Sequence, residues 1–127
     1  MPSPENVINV IQTLISPQGC PWDRKQTPHS LADYLIEETF ELVEAIRSDD
    51  SEGVKEELGD VFFLLFFVSE LMEQDTHTLL QEVWEESRRK MIRRHPHVFE
   101  NEQVKDVGEI HKKWEQIKQE EKKEKNG

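Results

Sequence analysis

The stretch EELGDVFFLLFFV, residues 56–68, holds an unbroken apolar run from Val61 to Val68 with Glu56, Glu57 and Asp60 set directly against its start. Such a run has to leave water, yet it is far shorter than the roughly 20 residues needed to cross a bilayer. It therefore belongs to the interior of a folded domain. Its leading acids are then carried to the edge of that interior.

Helix-forming and charged residues dominate the rest of the chain, no segment alternates with a period of two, and the five glycines are scattered. This pattern predicts an all-α protein. The apolar spacing of Val7, Ile8, Ile11 and Leu14 predicts a first helix from Pro4 to Ile15, followed by an ordered loop, CPWDRKQTP (20–28). A second helix is expected from Ser30 to about Arg47 and a third, after the turn Ser48–Ser51, from Glu52 to Glu73. A fourth follows Asp75–Thr78 and ends at Arg94, because the residue before Pro96 disfavours helical geometry. A last helix is expected over Val107 to about Lys118. The expectation is one domain over residues 1–120, a four- to five-helix bundle, and a charged, frayed tail over 121–127.

Two acidic pairs stand one helical turn apart, Glu38 with Glu41 and Glu57 with Asp60. At about 100° per residue, Glu38 falls within the stripe of Leu31, Leu35, Leu42 and Ala45, and Glu57 aligns with Val54, Val61 and Leu64. Acids on a buried face need positive partners, since an unpartnered buried carboxylate costs several kcal/mol. Arg or Lys residues would serve. So would a hard divalent cation such as Mg²⁺, which takes oxygen ligands and which two helices joined by a short turn could hold between them. Ile36, Phe40 and Val43 form a second apolar strip on the helix that carries Glu38. That strip calls for cover from another copy, hence a homodimer or higher homo-oligomer.

Asp and Glu outnumber Lys and Arg by 27 to 16, giving a net charge of −11. That sign opposes nonspecific binding to nucleic acid or an anionic membrane. With Cys20 as the single cysteine there is no internal disulfide and no cysteine zinc cluster, and the N-terminus lacks the layout of a secretory signal. A cytoplasmic location is expected. The exception to the acidic balance is Arg88, Arg89, Lys90, Arg93 and Arg94. Lys90 and Arg94 lie one turn apart and can meet one anion; carboxylates, a hard cation and a cationic pair together suggest a polyphosphate substrate. No Walker lysine loop is present.

CPWDRKQT (20–27), SLADYLIEETFELVEAI (30–46), EELGDVFFLLFF (56–67) and KMIRRHPHVF (90–99) resemble, in order and spacing, the MazG-type nucleoside triphosphate pyrophosphohydrolases. The likeness covers residues 5–120. One difference is Gln26-Thr27-Pro28-His29, where the family more often places histidine directly after threonine. The resemblance implies an all-α oligomer that hydrolyses NTPs or dNTPs to the monophosphate and pyrophosphate with Mg²⁺, Mn²⁺ being an alternative. It implies Glu38, Glu41, Glu57 and Asp60 as metal ligands, with Glu37 nearby. Lys90 and Arg94 take phosphate-contacting positions, Trp114 and Lys118 stand on a WxxxK pattern at nucleotide and phosphate, and Trp22 lies at the nucleotide edge or serves the loop's structure. The base that deprotonates the attacking water is one of Glu37, Glu38 and Glu41. Two other functions fit the residues: a non-catalytic helical interaction module with acidic and basic faces, and a pyrophosphatase specialised for one nucleotide, canonical or modified.

Overall fold

Prolines and short polar side chains decide where the helices begin. The computed structural model describes residues 1–126. Among them are seven helices and no strand: α1 (Pro4–Leu14), α2 (Pro21–Arg24), α3 (Pro28–Arg47), α4 (Ser51–Leu71), α5 (Thr76–Arg94), α6 (Pro96–Phe99) and α7 (Val107–Asn126). The five long helices correspond to those expected, and α2 and α6 are single turns. None of the helices is long and apolar enough to cross a membrane.

The CPWD segment, expected as a loop, winds one turn as α2, with Pro21 in its first turn. Arg24 Nη1 donates to the Pro17 carbonyl at 3.0 Å, and Gln26 Nε2 donates to the Trp22 carbonyl at 3.0 Å. Helix α3 starts two residues earlier than expected. Thr27 Oγ1 accepts the Ser30 N–H at 3.1 Å while Ser30 Oγ accepts the Thr27 N–H at 2.9 Å. Pro28 then occupies the first helical position, where its missing N–H and fixed φ cost nothing.

The turn from α3 to α4 is a Schellman motif. Asp50 N–H donates to the Ala45 carbonyl at 3.1 Å and Asp49 N–H to the Ile46 carbonyl at 3.2 Å, with Asp49 left-handed at φ 56°. Asp50 at once caps α4, its Oδ1 accepting the Gly53 N–H at 3.0 Å. A Cβ on Gly53 would lie 2.3 Å from Asp50 Oδ2, so the cap itself demands glycine there.

The chain forms two compact units that meet in sequence at Leu79 and Leu80. In the first, α3 and α1 both pack on α4. Ile11, Leu31 and Phe67, one from each helix, are the buried centre, with Val7, Ile15, Phe63, Leu64, Phe66, Val68 and Leu71 around them. Full burial of such side chains contributes about 1.5–3 kcal/mol each. The apolar run 61–68 thus supplies the centre of the unit, while Leu58, Phe62 and Leu65 on another side of α4 remain 41–52% exposed.

In the second unit, His95 and Pro96 end α5 as expected, and Pro96 is buried. Asp106 Oδ1 accepts the Glu109 N–H at 2.9 Å near the start of α7. Residues 121–126, expected to fray, continue α7. The physical reason is Glu121: its carboxylate is not solvated with the surrounding charges but accepts hydrogen bonds from both Arg93 and Arg94.

Candidate functional site

Residues 38 and 41 share a side of α3, residues 57 and 60 share a side of α4, and the short Schellman turn folds these helices against each other. One carboxylate oxygen from each of Glu38, Glu41 and Glu57 lies within 4.8 Å of the others. Asp60 is exposed and stands outside that trio, although its charge acts on both Glu38 and Glu57. Glu37 and Glu56 are exposed and do not join the trio.

Burial separates these acids sharply. Glu38 Oε2 and Glu57 Oε2 are buried and have no hydrogen-bond partner among the described residues. Burial raises the Glu38 carboxyl above its ordinary range, helped by the negative charges of Glu41 and Asp60 and opposed by a hydrogen bond from Glu57. Glu57 is pushed up to about 7, first by burial, then by acting as the donor to Glu38, then by the charges of Glu41, Asp60 and Glu38. When both are ionised, neither has a donor. Such a pair is satisfied either by a shared proton or by a cation.

An all-oxygen donor set with two orphaned buried oxygens suits a hard divalent cation. Neither histidine nor cysteine takes part in the cluster, which disfavours zinc.

Beside the cluster is a cleft of about 270 Å³, lined by Trp22, Tyr34, Leu31, Phe63, Glu38 and Asp60 among others. Trp22 and Tyr34 meet edge to face with ring centroids 5.6 Å apart. Tyr34 was not singled out from sequence, although it lies one turn before Glu38 on α3 and so shares that helix side.

In the second unit, Lys90 and Arg94 of α5 and Lys118 of α7 line one cleft of about 460 Å³, together with Arg93, Lys122 and Lys125. Trp114 is not among its lining residues; the Arg94 guanidinium sits 5.2 Å from the Trp114 ring centroid and His95 meets that ring edge-on at 5.0 Å. Glu121, Lys122 and Lys125 were missed from sequence because the segment was assigned to a solvated tail. The available signal was the spacing Lys118, Lys122, Lys125, which continues one helical face.

The family model for the MazG nucleotide pyrophosphohydrolase domain matches residues 26–99. The chain is 42% identical over 114 residues to the uncharacterized protein YabN of Bacillus subtilis, covering 90% of this chain and 23% of that one. It is 42% identical over 118 residues to the nucleoside triphosphate pyrophosphohydrolase/pyrophosphatase MazG of Thermotoga maritima, covering 93% and 45%. With the nucleoside triphosphate pyrophosphohydrolase of Escherichia coli K12 the identity is 35% over 118 residues, covering 92% and 45%. The chain thus spans less than half the length of these curated relatives. The crystal structure of a mazG-related protein from Thermotoga maritima matches with a TM-score of 0.65 at 28% identity, covering 91% of this chain and 98% of that chain.

Proposed function

This chain belongs to the MazG nucleotide pyrophosphohydrolase family, and on that footing we propose that it hydrolyses nucleoside triphosphates, NTPs or dNTPs, to the monophosphate and pyrophosphate with Mg²⁺. The observation that carries this reading is the pair of buried, partnerless oxygens on Glu38 and Glu57 within reach of Glu41. A protein keeps such an arrangement where a cation completes it.

Glu38, Glu41 and Glu57 would hold the cation, with Asp60 joining from the cleft rim; Mn²⁺ is the alternative ion. When bound, it supplies charge withdrawal from the triphosphate and a lowered pKa for water. The proton of the attacking water passes to a carboxylate of Glu37, Glu38 or Glu41. In the second unit, Lys90, Arg94 and Lys118 meet phosphate oxygens and offset charge on the leaving pyrophosphate. In the first unit Trp22 stands at the nucleotide edge or serves the structure of its loop; in the second Trp114 is the nucleoside contact, with the Arg94 guanidinium over its ring.

A homodimer fits the same reading. Ile36 and Phe40 on α3 are 71% and 62% exposed, and Leu58, Phe62 and Leu65 form a second uncovered stripe on α4. Gly59, mid-helix beside that stripe, has no described atom beyond its own helix backbone and its two chain neighbours within 4 Å of where its Cβ would stand. A glycine that costs a helix about 1 kcal/mol without packing against its own chain suits close approach by another copy.

The test is pyrophosphate release from a panel of canonical and modified triphosphates with Mg²⁺. Turnover in the native chain and its loss in Glu38→Gln and Asp60→Asn, with helical content retained, is the expected result. Native-like turnover in both variants would contradict the assignment of the carboxylates.

A further inference from the structure

Glu121 ties the last turn of α5 to the C-terminal part of α7. Its Oε1 accepts from Arg94 Nε at 3.1 Å and Nη2 at 2.8 Å, and its Oε2 accepts from Arg93 Nε at 2.7 Å and from Arg93 Nη2. The Arg94 side chain is 14% exposed and that of Glu121 19%. The Arg94–Glu121 bonds are therefore charge-assisted bonds made largely out of water, whereas Arg93 is 46% exposed and the side chains of the i,i+3 pair Lys55 and Glu52 are 77% and 83% exposed.

The cleft that Arg94 lines carries Lys90, Arg93, Arg94, Lys118, Lys122 and Lys125 against Glu86, Glu121 and Glu124. It is a positive exception in a chain of net charge −11. Four of its cations are lysines, flexible point charges with many rotamers. The two arginines present planar forks, and a fork recognises phosphate well only when its plane and direction are set beforehand. Arg94 is set on two sides. Glu121 holds its Nε and Nη2 edge, and its Cζ stands over the Trp114 ring, 5.2 Å from the ring centroid. The Nη1 edge has no protein acceptor among the described residues and remains for a ligand.

We propose that Glu121 is a positioning residue for the triphosphate, fixing Arg94 so that its Nη1 edge meets a phosphate oxygen. This rests on the proposed contact between Arg94 and substrate phosphate. The opposite role, a carboxylate that occupies the phosphate position until substrate displaces it, fits the geometry less well. Displacement would strand a largely buried carboxylate and free Arg93 as well, whereas binding through Nη1 leaves all four hydrogen bonds in place.

The experiment is steady-state pyrophosphate release from a dNTP with Mg²⁺ by the full chain carrying Arg94→Gln, Glu121→Gln, Glu121→Asp or the Arg94→Gln/Glu121→Gln pair. Arg94→Gln and Glu121→Gln are each expected to raise KM about tenfold and to lower kcat as well, because Arg94 both binds phosphate and offsets charge on the leaving pyrophosphate. The double variant should be no worse than Arg94→Gln, because Glu121 acts through Arg94. Unchanged kinetics in Arg94→Gln would overturn the phosphate contact itself. A raised KM in Arg94→Gln with an unchanged or lowered KM in Glu121→Gln, or additive losses in the double variant, would overturn the positioning role alone. If Glu121→Gln does not fold, Glu121→Asp decides: the carboxylate retracted by one methylene should raise KM at native helical content, and a native KM would refute the proposal.

Discussion

Glu38 on α3 and Glu57 on α4 each bury an oxygen that no donor among the described residues reaches. Two acids brought together in this way repel each other unless a proton or a cation intervenes. Mg²⁺ should therefore raise the Tm of the native chain at constant ionic strength, by linkage to the folded state. Glu57→Gln should raise the Tm of the metal-free chain, abolish the response to Mg²⁺ and lower kcat by about a hundredfold or more. Thermal melts with and without Mg²⁺ check this, and the two melts should differ for native protein only. An equal response to Mg²⁺ in native and Glu57→Gln chains would remove Glu57 from the cation site.

The α3–α4 turn holds Asp49 at φ 56°, where an L side chain is strained. Asp49→Gly should stabilise the chain by about 0.5–1 kcal/mol. Gly53→Ala should do the reverse, by about 1 kcal/mol, since the added methyl displaces the Asp50 cap. Chemical denaturation of the two variants provides the comparison.

Hydrogen bonds from Arg94 and then Arg93 hold the Glu121 carboxyl below its ordinary value of 4.5, overcoming the opposing effect of burial. A depressed folded-state pKa contributes stability that is present above the unfolded value and is lost as pH falls through the folded one. The Tm difference between native and Glu121→Gln chains should therefore be full at neutral pH and shrink as pH drops below 4.5.

His77 titrates in the other sense. Its Nε2 lies 3.0 Å from both carboxylate oxygens of Glu5, and that hydrogen bond, with the charge of Glu5, raises the imidazole above 6.5. A raised folded-state pKa stabilises below the unfolded value, and the gain disappears as pH rises through the folded one. His77→Gln should lower Tm at pH 6 and leave it unchanged at pH 9. Parallel melts at the two pH values would show it.

Phe40, Phe62 and Leu65 face solvent in the single chain. Phe62→Glu, alone or with Phe40→Glu, should convert an oligomer into monomer, since a charge buried in an apolar contact has no partner. Sedimentation velocity measures this directly. A native chain that sediments as a monomer at micromolar concentration would rule out self-association through these faces.

Much of the fold was legible along the chain. Helix positions followed from apolar spacing, from Pro96 and from the polar turns at 48–51 and 75–78. Those signals act within a turn or two of each other, so no distant contact is needed to read them. The errors lay where local composition points away from the outcome. The loop 20–28 has no helical period but gains a single turn from Pro21, and the charge run at the C-terminus looks solvated until Glu121 meets two arginines.

The carboxylate pattern divides in the same way. Spacing alone placed Glu38 beside Glu41 and Glu57 beside Asp60, because a helix repeats every 3.6 residues whatever surrounds it. Spacing treated the four acids as equals, however. Only the packing of α3 on α4 buries an oxygen of Glu38 and one of Glu57 while leaving Asp60 exposed. Likewise, Arg94 could be seen as a cation in the sequence, but not as one already held by a carboxylate 27 residues away. Periodicity belongs to the backbone of a single helix. Loss of water and choice of counter-charge belong to the neighbours that tertiary structure brings, and those decide which acids and bases are held ready for chemistry.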